Sequence, residues 1–310
     1  MKRNILVFSE DPRVINEAVY IANILKGNEG KIFGVSKLTE DNDVLSNFDE
    51  IHFAKENLIP EQWAKFLIKF YKENEIQYLV SPHTVNNNDI IAYVSAKYNL
   101  PMISNATSIK DNDATLIFSR QVLGGRGISY IEVEKSLKLS VTVPIKVYPR
   151  IKLDKQSLIK EITEIEKTKI TSKGFEEIKK SGFNIENADV VVGIGRGFKS
   201  KEDIKLAQDL AEVLNGVIGC SRPIAADYGW LPNDLWIGIS SKIIRPKLYI
   251  AVGISGAPQH VSGIMDSKII VAINKDKNAT IFKYADYGVV ADLYQFLPIF
   301  TRKIKENLKK

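Results

Sequence analysis

Val190-Val191-Val192-Gly193-Ile194-Gly195-Arg196-Gly197 is the stretch that decides the fold of the second half of this 310-residue chain. A β-branched run with no polar face reads as a strand buried on both sides, and the glycines after it let the chain turn sharply. Ser200 and Asp203 follow as a capping pair, and Ala207, Leu210, Ala211 and Leu214 recur on one helical face. Strand, glycine turn and helix make an α/β step. Glycines at such a turn let backbone amides approach a pyrophosphate at the helix N-terminus. The spacing is G-x-G-x-G rather than G-x-G-x-x-G, so a plain tight turn accounts for it equally well.

Upstream, short β-rich runs alternate with helical patterns, the signature of helices layered on a mostly parallel sheet. Asn4 to Ser9 reads as a buried strand, Val14 to Leu25 as a helix stopped by Lys26-Gly27, and Lys31 to Ser36 as a second strand. Ile51 to Ala54, the helix Pro60 to Asn74 and the strand Gln77 to Ser81 continue the series. From Ala114 to Val147 the pattern becomes period-2, which predicts an antiparallel meander at the edge of that sheet. Lys152 to Ser181 reads as an edge strand and then a solvated connector. The expected architecture is α/β in two domains, 1–186 with a mostly parallel sheet and connector, and 187–310 as a doubly wound domain.

Composition bounds the function. With 45% hydrophobic and 26% charged residues the chain is an ordinary globular protein. A single cysteine, Cys220, excludes an internal disulfide and a multi-thiolate zinc site, and it suits a reducing, cytoplasmic setting. His52, His83 and His260 offer little for a metal cluster, and the first two read as packing or turn residues. The N-terminal apolar run stops at Ser9-Glu10-Asp11, too short for a signal peptide, and the longest apolar stretch, Leu248 to Ile254, falls far short of the ~20 residues a membrane helix needs. A net charge of +6 from scattered lysines is weak support for nucleic-acid binding.

Four further segments carry polar groups where strands end. Gly219 to Asp227 holds Ser221 and Arg222, and an arginine there can stack on a ring or neutralise an anion. Pro232 to Lys242 closes on Ser240, Ser241 and Lys242. Leu248 to His260 is an apolar strand that breaks into Gly253-Ile254-Ser255-Gly256-Ala257 and restarts as a helix, with Pro258 at its first position and His260 at its mouth. Ser267 to Gly288 offers Asn274 and Asp286 as strand-terminating groups for phosphate or sugar hydroxyls. Trp63, Trp230 and Trp236 read as core or interface residues.

The run from Gly219 to Leu297 resembles the electron-transfer flavoprotein alpha subunit. Its carriers are Leu-Tyr-Ile-Ala-x-Gly-Ile-Ser-Gly-Ala-x-Gln-His, then Ile-Val-Ala-Ile-Asn-Lys-Asp, then Ala-Asp-Tyr-Gly-x-Val-x-Asp-Leu. The N-terminal half is similar more loosely, in Phe118-Ser119-Arg120 to Gly124-Gly125 and in strand–helix order. The resemblance implies an FAD held by the C-terminal domain, and an N-terminal domain that contacts a beta subunit carrying AMP or a second FAD. It further implies single-electron shuttling between acyl-CoA or other dehydrogenases and a membrane quinone oxidoreductase or other acceptor, as in fatty acid β-oxidation. It places Arg222 and Ser221 beside the flavin, Ser240 at flavin N5, and Ser241 and Lys242 in the same loop. His260 goes to the flavin C2 carbonyl. Gly253, Ile254, Ser255, Gly256, Ala257 and Gln259 surround the phosphates and ribityl chain, and Asn274 and Asp286 stand at the adenosine end. A cation or donor near N1 and O2 stabilises reduced flavin, the work expected of His260 and Arg222. Because the flavin does the redox chemistry, no acid, base or nucleophile is required of the chain, and none stands out.

The chain departs from the family's Gly-Gln-Thr-Gly-Lys at Gly238-Ile239-Ser240-Ser241-Lys242, which loses a side-chain donor at Ile239 and adds a Cβ at Ser241. FAD binding with an altered potential is expected. The alternatives are a non-redox nucleotide-binding protein and a structural subunit that has lost FAD. The first wants an acidic strand end about 20 residues past the glycine turn, and residues 212 to 220 supply only the helical Glu212.

Overall fold

The computed structural model describes residues 3–125, 127–174 and 185–308. The chain divides into two compact units, Met1–Phe175 and Glu176–Lys310.

In the first unit the order is β1 (Asn4–Ser9), a 3-10 turn, α1 (Val19–Lys26), β2 (Ile32–Lys37), α2 (Asn42–Leu45), β3 (Glu50–Ala54), α3 (Pro60–Glu73), β4 (Ile76–Pro82), α4 (Val85–Lys97), β5 (Met102–Ile103), β6 (Ser108–Asp111), β7 (Thr115–Val122), β8 (Gly127–Glu134), β9 (Leu139–Val143) and β10 (Leu158–Glu161). Seven strands form an all-parallel sheet in the order β10-β3-β2-β1-β4-β9-β5. β1 is buried along its whole length because its two faces serve two cores. Ile5 and Val7 pack with Ile15 and Leu25, while Leu6 and Phe8 pack with Trp63, Leu67 and Ile91. Helix starts are locally encoded: Gln62 Oε1 accepts the Ile59 N–H at 3.0 Å, and Thr84 Oγ1 accepts the Asn87 N–H at 3.1 Å.

The expected edge meander over 114–147 is corrected. β6, β7 and β8 form a separate antiparallel sheet, and Leu139–Val143 is a fully buried parallel strand between β4 and β5. The following segment holds the edge strand expected of it, β10 beside β3. Its approach is tied down rather than free: the buried carboxylate of Glu17 accepts from the Lys146 N–H at 2.8 Å and from Arg150 Nη2 at 2.9 Å, and Asp49 accepts from Lys155 Nζ at 2.6 Å. The remainder of the expected connector, from residue 175, lies outside the described residues up to 184.

The second unit runs β11 (Val190–Ile194), α5 (Lys205–Val213), β12 (Val217–Cys220), β13 (Leu248–Val252), α6 (Pro258–Val261), β14 (Ile270–Asn274), β15 (Tyr287–Val290) and α7 (Leu293–Asn307). Its five strands are parallel in the order β12-β11-β13-β14-β15. Val191, Val192, Ile250 and Val252 share one core with Leu210 of α5 and Leu297 of α7. The unit division precedes the boundary expected near residue 187, which falls just before β11.

Candidate functional site

Strand order in the second unit reverses between β11 and β13, and a parallel sheet opens a crevice at the carboxyl ends of such a pair. The two strand ends interlock there. The Gly195 N–H donates to the Val252 carbonyl at 3.0 Å and the Gly197 N–H to the Gly253 carbonyl at 3.0 Å. Gly253 has φ +62°, and a Cβ on Gly195 would stand 2.5 Å from the Gly253 oxygen. Only glycine permits this approach, which explains the glycine turn better than ligand contact alone does.

A cavity of about 450 Å³ opens beside these turns, within the range of a small-molecule site. Nine residues singled out from sequence line it: Ser221, Arg222, Ser240, Gly253, Ile254, Ser255, Ala257, Gln259 and His260. β12 leads into Ser221, whose N–H donates to the Ile194 carbonyl at 2.9 Å, and Arg222 opens a π-helical turn over Pro223–Asp227. Such turns recur at functional sites. Pro258 occupies the first position of α6, where its missing N–H costs no bond. The 238–242 loop folds on itself through the Gly238 N–H to the Lys242 carbonyl at 3.0 Å, and is pinned to α6 by the Ile239 N–H to the Gln259 carbonyl at 2.9 Å.

Five expected residues are not brought into the cavity. Gly256, with φ +86°, is packed against Ile281, and Ser241 turns back through its N–H to the Gly238 carbonyl. Lys242 pairs with Glu186 at 2.6 Å. Asn274 Nδ2 donates to the Ile254 carbonyl at 2.9 Å and so shapes the loop from behind. Asp286 is a correction: its Oδ2 accepts the Ile270 N–H at 2.7 Å, at the amino end of β14 and about 13 Å of strand away from the crevice. Sequence reasoning in turn passed over Arg196, Pro223, Trp236, Ile237 and Gly238 as lining residues. An arginine between turn glycines, where strand ends converge, was the available signal for Arg196.

The electrostatics are one-sided. No acidic residue is among those lining the cavity, and neither Arg196 nor Arg222 has an ion-pair partner among the described residues. His260 adds no charge, so the cation or donor expected of His260 and Arg222 together rests, for its charge, on Arg222. Burial pushes the His260 pKa down to about 4. Its Nδ1 faces the Ile237 carbonyl at 3.1 Å and its Nε2 the Tyr249 hydroxyl at 2.8 Å. A carbonyl only accepts, so Nδ1 carries the proton and Nε2 accepts from Tyr249. Burial likewise pushes the Cys220 thiol up to about 12, leaving it inert. Among the described residues there is no metal-ligating cluster and no helix long and apolar enough to cross a membrane.

Residues 184–265 match the family model of the electron transfer flavoprotein FAD-binding domain, and residues 49–170 that of the electron transfer flavoprotein domain. The electron transfer flavoprotein subunit alpha of Thermoanaerobacterium thermosaccharolyticum is 33% identical over 86% of this chain and 79% of its own length. That of Pseudomonas aeruginosa is 34% identical over 86% and 82%. The mitochondrial protein of the same name from Dictyostelium discoideum is 34% identical over 83% and 75%. With two family domains matched in order and such likeness along most of its length, this chain belongs to the electron transfer flavoprotein alpha subunit family.

Proposed function

We propose that the second unit binds FAD in the crevice between β11 and β13, and that the chain works with a beta subunit as a carrier of single electrons. The observation that carries this reading is the pair of unpaired guanidiniums, Arg196 and Arg222, in a glycine-walled cavity lined by no acidic residue. A dinucleotide brings two phosphate charges and a ring that becomes anionic on reduction, and such a cavity suits both. When bound, FAD supplies one-electron chemistry, so the chain itself has to bind, orient and shield.

Its residues divide that work. Arg196, on the glycine turn, is placed for the phosphates, with backbone amides of the 253–257 loop as further donors. Arg222 supplies positive charge toward the ring, and Ser221 and Ser240 supply hydroxyl groups. His260 serves as a neutral wall, because its single N–H is spent on Ile237. Ile239, half exposed in the cavity wall, offers no donor, so the expected departure in potential rests on it. The donors of electrons are acyl-CoA or other dehydrogenases and the acceptor is a quinone oxidoreductase or equivalent. The beta subunit carries AMP or a second FAD, and the pair works in the cytoplasm.

The test is to co-express the chain with its beta subunit, record the absorption spectrum, release the cofactor for mass identification, and reduce the complex stepwise without oxygen. A yellow complex that yields FAD and passes through a one-electron-reduced form is expected. A colourless complex that takes up no added FAD overturns the reading and promotes a structural subunit.

A further inference from the structure

Arg222 has a fixed backbone and an exposed side chain. Its backbone is fixed on both sides, by the Ser221 N–H on the Ile194 carbonyl at 2.9 Å and the Ile224 N–H on the Ser221 carbonyl at 3.1 Å. The side chain beyond is long and exposed. An arginine in that situation loses rotamer entropy when a ligand orders it. No carboxylate pairs with it among the described residues, and it lies beside an aromatic ring: the guanidinium carbon is 5.9 Å from the centre of the Trp236 ring. That distance is within the range of a cation–π contact.

Trp236 is in turn held firmly. Its backbone N–H donates to the Asn233 carbonyl at 3.2 Å, its backbone carbonyl accepts the Lys242 N–H at 3.2 Å, and its backbone bridges to Cys220 at the end of β12. Both residues line the same cavity. Resting on the FAD reading above, we propose that Trp236 is the positioning residue for Arg222: its indole face parks the guanidinium against the cavity wall, so that the positive charge is already in place when the flavin arrives. A tryptophan face serves this better than phenyl, and an aliphatic side chain does not serve it at all. Trp236 therefore acts through Arg222.

The test is a double-mutant cycle in the complex with the beta subunit, reading the FAD dissociation constant and the flavin midpoint potential for Trp236→Leu, Trp236→Phe, Arg222→Ala and the Trp236→Leu/Arg222→Ala double variant. Trp236→Leu is expected to weaken FAD about tenfold and to lower the potential, because the reduced ring loses its cation. Trp236→Phe keeps most of both, and in the Arg222→Ala background Trp236→Leu adds less than about twofold. Equal effects of Trp236→Leu with and without Arg222, or no effect of it at all, overturn the proposal. So does a Trp236→Phe variant as impaired as Arg222→Ala, which also serves if the leucine variant fails to fold. A wild-type complex that holds no FAD is a failure of the site reading, whereas a wild-type complex that holds FAD without coupling between the two residues defeats this inference alone.

Discussion

The two units solve the same topological problem in opposite ways. Each has a parallel sheet whose order reverses beside its first strand, between β1 and β4 in one and between β11 and β13 in the other. Such a reversal leaves a crevice at the strands' carboxyl ends. In the first unit Asn87, fully buried in the first turn of α4, fills it. Its Nδ2 donates to Ser9 Oγ at 3.2 Å and to the Pro82 carbonyl at 3.1 Å, while its Oδ1 accepts the Glu10 N–H at 3.2 Å. In the second unit the corresponding strand ends are glycines, and the space beside them is lined by unpaired arginines. Topology makes a crevice available, and the side chains at the strand ends decide whether it is a site.

Closing the open crevice is the strongest way to break that contrast. A Cβ on Gly195 would meet the Gly253 oxygen at 2.5 Å, Ile254 Cγ1 at 2.7 Å and Ile254 Cα at 2.9 Å. Two of these are backbone atoms of the facing turn, so neither can swing aside. Gly195→Ala is expected to weaken FAD by more than about 100-fold and to cost about 1–3 kcal/mol of stability in its unit. FAD uptake and thermal unfolding of the complex measure the two. Unchanged affinity would mean that the interlocked glycines do not shape the site.

The converse experiment empties the filled crevice. Asn87→Ala leaves the Glu10 N–H without its acceptor and takes a donor from Ser9 Oγ and from the Pro82 carbonyl, which keep their bonds to the Asp11 carbonyl and the Thr84 N–H, at a cost of about 1–3 kcal/mol. Hydrogen exchange in β1 and β4 reads that cost locally, and FAD binding by the complex is expected to stay as in the wild type. Unaltered protection in β1 and β4 would show that the asparagine does not hold the strand ends together.

The sequence revealed strands where burial and apolarity coincide, as in Asn4–Ser9, Val190–Ile194 and Leu248–Val252. It misled at β9, where Leu139-Ser140-Val141-Thr142-Val143 alternates like a half-exposed strand. Both hydroxyls are in fact buried and satisfied: Ser140 Oγ meets Ser95 Oγ at 2.6 Å, and Thr142 Oγ1 accepts the Asn105 N–H at 2.9 Å. Periodicity counts polarity and cannot see a buried partner. Asp286 misled for a related reason, since the spacing of a carboxylate does not say which end of a strand it addresses. Trp236 reads as a core or interface residue rather than as a cavity wall because an aromatic residue in an irregular loop has no period to mark it. The loops from Ser221 to Arg222 and from Gly253 to His260 were legible as candidates because short polar residues there directly follow apolar strands.

The smallest expected effect separates the histidines of the two units. His260 is held neutral by burial, with a folded pKa of about 4 against the ordinary imidazole value of 6.5. Between those values the unfolded chain binds more protons than the folded one, so stability rises with pH and is lost as pH falls through the window. The fall from pH 6.5 to 5 amounts to about 2 kcal/mol. Its neighbours add nothing there, since burial holds Tyr249 well above its ordinary value and Cys220 at about 12. In the first unit His52 is also pushed down by burial, but Glu50 at 2.6 Å pulls the other way. His260→Gln is therefore expected to flatten the acid loss of stability in the second unit and to leave that of the first untouched. Local hydrogen exchange at pH 5 and 6.5, read in β13 and in β3, tests both halves at once. If β13 keeps its pH dependence in His260→Gln, the neutral ring is not what makes the crevice between β11 and β13 acid-sensitive.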